Sequence, residues 1–526
     1  MNKINTDTTY LGIEFGSTRI KAVLIDDGFS VLASGAYGWE NRLENGYWTY
    51  SLDDIKKGLQ GAYAELAREV KDKFGETLIT VGAVGISAMM HGYMPFNDRG
   101  ELLVPFRTWR NSTTGKASSE LTKLFGFKIP QRWSIAHLYQ AMLDAEPHVG
   151  DISYVTTLAV YVHYMLTGVR AAGMGEASGM FPLNGAGQYD GEMLDKFAEK
   201  VGEAGYSWDI REVLPEVKAA GESCGTLTEE GARLLDPSGN LKAGIPFCPP
   251  EGDAGTGMTA TNSVLPRTGN VSAGTSIFSM LVLEREIDGI YDDIDIVVTP
   301  DGRPVAMVHC NNCCSELDAW VKLFGEFAAL AGREMSAGEL YELLYTNAMK
   351  GDADCGGVMA YNFLSGEPTL DLDEGRPIYF RAPDGRFDLA NFIRAELYSA
   401  FGLLKMGMDI IFEQGVEADR FTGHGGLFKV KGVAQQLLAD ALNTSVAVTE
   451  TAGEGGAWGM ALLAAYMRLG GGMGLAEWLD KNVFADVESS VAAPDPKGVE
   501  GFSSFMRSYR RGLQMEYAAV GRRKIK

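Results

Sequence analysis

The chain has 526 residues, more than a single hydrophobic core usually supports, which predicts two domains. Its 46% hydrophobic and 22% charged residues exclude a disordered or fibrous protein. A formal net charge of -22 sets its field against phosphate backbones and anionic membranes, so neither nucleic acid nor a membrane is expected as a partner.

The start, Met1 to Thr9, is polar, and the opening run Tyr10-Leu-Gly-Ile-Glu14 is followed by Phe15-Gly-Ser-Thr18 and Arg19-Ile-Lys-Ala-Val-Leu-Ile25. Two β-rich runs around a small hydroxyl-bearing turn predict a hairpin with a polar tip. Apolar residues at helical spacing predict a helix over Leu52 to Phe74, and Val81 to Ile86 reads as a buried strand. His91 follows that strand at its C-terminal end, where α/β proteins place ligands, although a single histidine there can equally be structural.

Phe247-Cys-Pro-Pro-Glu-Gly252 is the expected inter-domain crossing, with the boundary near residue 257. In Gly252-Asp253-Ala-Gly-Thr-Gly257 a carboxylate is surrounded by small residues that leave room for a reacting group. Capping of a helix starting at Ala254 is the alternative role for Asp253. The hairpin pattern then returns as Gly269-Asn-Val-Ser-Ala273, Gly274-Thr-Ser276 and Ile277-Phe-Ser-Met-Leu-Val-Leu283.

Cys310, Cys313 and Cys314 form a C-x-x-C-C group. Nothing elsewhere completes four metal ligands, so core or cleft-lining thiols are expected. Six cysteines in all do not make a disulfide framework, and no apolar run reaches membrane-spanning length, which points to the cytoplasm. Asn391 is placed as the cap of a long helix with the apolar stripe Phe392, Leu397, Phe401, Leu404, Met408 and Ile411. Thr422-Gly-His-Gly-Gly426 is a turn that admits a ring or a phosphate close to the backbone. Arg510, Arg511, Arg522, Arg523, Lys524 and Lys526 gather at the C-terminus, which reads as a solvated helical tail.

Glycine-rich tips with hydroxyls and a nearby cation hold phosphate oxygens well, so Gly16, Ser17, Thr18 and Lys21, and Gly274, Thr275 and Ser276, are candidate phosphate ligands. Two such tips facing each other over a cleft could clamp a triphosphate.

In their order, GIEFGSTRIK, GISAMMHG, FRTWRN, GDAGTG, VSAGTS, ELDAW, FTGHGGLFK and GEGGAWGMALLA resemble the motifs of the FGGY carbohydrate kinases, from about Tyr10 to about Ala465. The resemblance implies an α/β protein of two ribonuclease H-like, actin-like ATPase domains flanking a central cleft. It places an N-terminal domain over 1–257, a C-terminal one over 258–485 and a helical tail over 486–526. It implies ATP and Mg2+ as cofactors and a small sugar as substrate, with homodimerisation expected from relatives. It makes Asp253 the general base and a magnesium neighbour with Glu14. It assigns Gly425, Gly426 and Phe428 to the nucleotide, and Met90, His91 and Trp109 to the sugar.

Three residues depart from the family pattern: Glu14 for Asp, Asn111 for Asp, and Met89 for a polar residue before Met-His. The M-H-G triplet is closer to xylulose kinases than to glycerol kinases. A ketopentose is therefore the expected substrate, with L-ribulose, gluconate or another polyol as alternatives. Two further readings are a catalytically weak sugar-responsive binding protein and an iron–sulfur ATPase activator built on C-x-x-C-C.

Overall fold

The computed structural model describes residues 4–449 and 455–521, so Arg522, Arg523, Lys524 and Lys526, together with Gly453 and Glu454 of the closing motif, lie outside the described residues. The chain divides into two compact units. The first comprises Met1–Val264, Asp295–Val305 and Glu454–Asp486, and the second Leu265–Ile294, Ala306–Gly453 and Val487–Lys526.

The first unit opens with strands β1 (Tyr10–Phe15), β2 (Arg19–Ile25) and β3 (Val31–Gly38), each antiparallel to the next. Helix α1 (Leu52–Phe74) follows. Its start is fixed by Ser51, whose side chain accepts the Asp54 amide, and its end by Gly75, whose φ of 74° closes the helix onto the Lys71 carbonyl. The buried face Ile55, Leu59, Ala62, Tyr63, Leu66 and Val70 packs into one core with Leu11, Ile13, Ile20 and Leu24 of the sheet. Strand β4 (Ala83–Ala88) lies two residues beyond the predicted Val81 start and runs parallel beside β1. After the short helix α2 (Met174–Ser178), β5 (Glu251–Gly252) adds parallel to β4, and α3 (Asp253–Ala260) leaves directly from it. The sheet order is β5-β4-β1-β2-β3.

The second unit begins the same way, with β6 (Thr268–Ala273) antiparallel to β7 (Ile277–Val282) and β8 (Pro304–Cys310) beside it. Helices α4 (Ser315–Leu330) and α5 (Leu389–Glu413) come next. The cap of α5 is Asp388, whose carboxylate accepts the Asn391 amide at 2.9 Å, and not Asn391. Asn391 lies inside the first turn, where its side chain bonds Asp352 and the Arg386 carbonyl. The predicted stripe of α5 is buried throughout. Strand β9 (Arg420–His424) is parallel to β6, and after α6 (Val433–Leu442) strand β10 (Ser445–Thr449) is parallel to β9. The order β8-β7-β6-β9-β10 therefore repeats β3-β2-β1-β4-β5 strand for strand, with the β6/β7, β6/β9 and β9/β10 pairs matching β1/β2, β1/β4 and β4/β5 in direction.

Helix α7 (Gly455–Leu469) returns to the first unit and covers β1 and α3 through small residues. A Cβ on Gly12 would stand 2.0 Å from the Ala457 carbonyl oxygen, and one on Gly459 would stand 2.0 Å from that of Thr256. The chain then re-enters the second unit with β11 (Ser489–Ala492), antiparallel to β10, and α8 (Pro496–Ala519). Phe502, Phe505 and Tyr509 of α8 are buried, and Arg510 pairs with Asp409 of α5. Among the described residues no helix is long and apolar enough to cross a membrane.

Candidate active site

The tip of the first hairpin is built so that its carbonyls face inward. Trp39 Nε1 donates to the Gly16 carbonyl at 2.7 Å, the Tyr50 hydroxyl to that of Ser17 at 2.6 Å, and the Trp39 amide to that of Thr18 at 3.2 Å. The Trp39 and Tyr50 rings stack with centroids 4.0 Å apart, which stiffens this support. Among the described residues the amides and hydroxyls of Ser17 and Thr18 have no protein partner. Lys21 sits across from Glu14 in the β1–β2 register.

The second tip has the same construction from different parts. The Cys314 and Cys313 amides donate to the carbonyls of Gly274 and Thr275, both at 3.0 Å. Again the Thr275 and Ser276 amides and hydroxyls have no protein partner among the described residues. Gly425 lies against this tip: its φ is 99°, and a Cβ would stand 2.4 Å from the Ala273 carbonyl oxygen, so no other residue fits. Gly426 has open space around its α-carbon, whereas Phe428 is buried against Gly423. Burial pushes His424, in the same turn, down to about 4, so its imidazole is neutral.

In the first unit Asp253 occupies the first position of α3, and Gly252 is the N-cap. Its carboxylate accepts the Met90 amide at 3.2 Å, which joins the ends of β4 and β5. Burial raises Asp253 to about 6, opposed by the Met90 amide. Asp253 keeps exposed surface, so water screens part of this effect and the upward direction is what its surroundings fix. Glu14 is raised to about 7 by burial first and by Asp253 second, and its Oε2 accepts the Ala457 amide of α7 at 3.2 Å. A Cβ on Gly456 would lie 2.4 Å from Glu14 Oε1, so the extra methylene at position 14 is accommodated by glycine on the facing helix.

His91 is buried and has φ 70°, a left-handed conformation that is costly for a side chain of this size, and its Nδ1 lies 3.2 Å from the Gly179 carbonyl oxygen. Trp109 is partly buried against the first core. Asn111 is fully occupied: its Oδ1 accepts the Trp48 amide, and its Nδ2 donates to the carbonyls of Trp48 and Thr108. A carboxylate cannot make those two donations, which explains Asn at this position. Met89 lies in the core.

Two buried acids near Asp253 escaped the sequence reading. Glu251 accepts the Glu176 and Gly175 amides at 3.0 and 3.3 Å and is raised to about 8 by burial. Burial pushes Glu176 well above the usual carboxylate range, and both its oxygens lack a hydrogen-bond partner. Arg132 works against burial at Asp253, favouring its ionised form, and pairs with Asp295. Among the described residues no three His, Cys, Asp or Glu side chains are grouped as metal ligands.

The sequence matches the N-terminal domain of the FGGY family of carbohydrate kinases over residues 9–258 and its C-terminal domain over 269–468. The chain belongs to the FGGY family of carbohydrate kinases. It is 21% identical to a xylulose kinase of Haemophilus influenzae over 523 residues, covering 97% of this chain and all of that protein. Its fold matches a crystal structure described as a xyloylose kinase from Brucella ovis, with TM-score 0.78, 18% identity, and 98% and 99% of the two chains covered. It also matches the gluconate kinase from Lactobacillus acidophilus, with TM-score 0.77, 16% identity and the same coverage. The α/β architecture of two actin-like ATPase domains expected from sequence is therefore that of the FGGY kinases, and this chain is a carbohydrate kinase.

Proposed function

We propose that this FGGY kinase transfers the γ-phosphoryl group of ATP to a hydroxyl of a ketopentose such as xylulose. The observation that carries the reading is the repeated hairpin tip, with carbonyls tied back and amides and hydroxyls left bare, as phosphoryl oxygens require. Ser17 and Thr18, with Lys21 nearby, and Thr275 and Ser276 present these groups to the phosphates, while Gly16 and Gly274, whose amides are bonded to the Arg19 and Ser276 carbonyls, let the phosphates approach the backbone closely. Gly425, Gly426 and Phe428 form the turn that takes the nucleoside. Residues 1–257 carry the sugar-binding domain and 258–485 the nucleotide-binding one. Met90, His91 and Trp109 contact the sugar.

Asp253 is the general base. With its carboxylate anchored by the Met90 amide, it accepts the proton of the attacking hydroxyl as the new O–P bond forms and the bond to the ADP oxygen breaks. The raised Glu14 and Asp253 form an oxygen-rich, mutually repelling pair, a hard donor set that fits Mg2+ bound partly through substrate phosphates. Bound there, Mg2+ would neutralise charge on the phosphates. Glu14 and Asp253 are the residues that would hold it.

Relatives of similar fold include a gluconate kinase, so gluconate, L-ribulose and other polyols are the alternatives. ADP release measured over a panel of ketoses, polyols and sugar acids tests the reading, with the highest kcat/KM expected for a ketopentose. A best substrate among the acids or linear polyols would replace the sugar assignment, and no ADP release with any of them would overturn the reading.

A further inference from the structure

The Cys313–Cys314 pair has no part in the proposed phosphoryl transfer, yet it holds the second hairpin tip. Cys313 Sγ and Cys314 Sγ are 3.6 Å apart, and the amides of the same two residues donate to the Thr275 and Gly274 carbonyls. The loop is fixed from its other side as well. The Asn312 side chain accepts the Leu364 and Ser365 amides, Glu367 accepts the Asn311 amide, and Asn362 Nδ2 donates to the Cys313 carbonyl at 3.0 Å. Neighbouring residues in this loop therefore carry both the dithiol and the bonds that keep two carbonyls of the tip turned away from the phosphate side. Among the described residues no group of three His, Cys, Asp or Glu makes this a metal site, so a two-thiol chemistry is what the pair can support.

We infer that Cys313 and Cys314 form a redox-active dithiol that low-molecular-weight disulfides of the glutathione class oxidise to a disulfide, releasing the second hairpin tip. The Cys314 thiolate attacks one sulfur of the small disulfide, forming a mixed disulfide and expelling one thiolate. The Cys313 thiolate then attacks the Cys314 sulfur, forming the Cys313–Cys314 bond and expelling the second. Two protein thiols are oxidised, one small disulfide is reduced to two thiols, and the two protons leave with them. Entry falls to Cys314, which keeps 8% of its surface against 1% for Cys313. The hydrogen bond with Cys314 and then burial push the Cys313 thiol up, so it is the slower, resolving partner.

Adjacent residues have α-carbons about 3.8 Å apart across a trans peptide, below the roughly 4.4–6.8 Å that an unstrained disulfide spans. Bringing the sulfurs from 3.6 Å to about 2.05 Å therefore turns the intervening peptide, and with it the Cys314 amide that holds Gly274. A strained disulfide of this kind is readily reduced, as reversible control requires.

The effect on nucleotide rests on the kinase reading above; the effect on the tip does not. The experiment treats the full chain with oxidised glutathione and then dithiothreitol, alongside Cys310→Ser, Cys313→Ser and Cys314→Ser. Intact mass should show loss of two hydrogens in the parent and in Cys310→Ser, reversed by dithiothreitol. Cys313→Ser should instead stop at a glutathione adduct. Amide hydrogen exchange should quicken at Cys313 and Cys314 on oxidation, and ATP binding should weaken about tenfold, the equivalent of one to two hydrogen bonds. An unchanged mass in the parent, or a disulfide that leaves exchange at these amides unaltered, overturns the inference. If the reduced chain binds no ATP while mass and exchange respond as stated, the kinase reading fails and the dithiol inference stands.

Discussion

Asp253 and Glu396 show how burial acts on a carboxylate in two settings. Asp253 is anchored by one amide and retains solvent contact, the condition of a usable base. On the proposed general-base role, Asp253→Asn keeps the shape and removes the proton acceptor, so kcat should fall by about 10²–10⁴-fold with ATP affinity kept; steady-state ADP release together with nucleotide titration checks both halves. Glu396, on α5, is buried, has Oε2 without a partner, and is raised to about 8 by burial. An acid whose folded value exceeds its unfolded one stays protonated in the fold while the unfolded chain ionises. Stability is therefore lost as pH rises from about 4.5 to about 8. Glu396→Gln should raise stability at pH 8 by about 1–3 kcal/mol and leave it nearly unchanged at pH 4.5, as thermal melts at the two pH values would show. Asp253 stood out as a candidate because small residues crowd its motif, whereas Glu176 and Glu251 did not, since a single Glu carries no pattern until the fold brings it beside another acid.

Elements were legible where local chemistry marks their ends. Helix α1 runs from Leu52 to Phe74 as predicted, because a Ser cap and a left-handed Gly close it. Helix α5 begins at Leu389, not after Asn391, because Asp388 and Asn391 are both competent caps and only the tertiary bonds of Asn391 decide between them. The packing of α7 on β1 was invisible, since nothing in the sequence pairs Gly12 with Ala457. Gly12→Ala forces a methyl onto a backbone carbonyl and should destabilise by at least about 1–3 kcal/mol. Gly38→Ala, with nothing within 4 Å, should stay within about 0.5 kcal/mol; chemical denaturation of the pair separates crowding from loss of glycine.

At the scale of the whole molecule, 69 acidic residues face 47 basic ones, and this imbalance opposes compaction. Raising KCl from 0.01 M to 1 M shortens the screening length from about 30 Å to about 3 Å, so Tm should rise. A falling Tm would mean that pairs such as those of Arg267 with Glu417 and Asp419 outweigh the general repulsion. The duplicated hairpin was readable from sequence because two short motifs repeat. The matching order of all five strands was not, since β4, β5, β9 and β10 share no such motif.

The late return of α7 has a consequence for synthesis. As the polypeptide leaves the ribosome, the first sheet has its strands after about 250 residues, but the helix that closes over Gly12 comes some 200 residues later. For much of translation the nascent first half carries an uncovered groove. Its maturation is thus timed by the far end of the message, and chaperone engagement should concentrate in that interval.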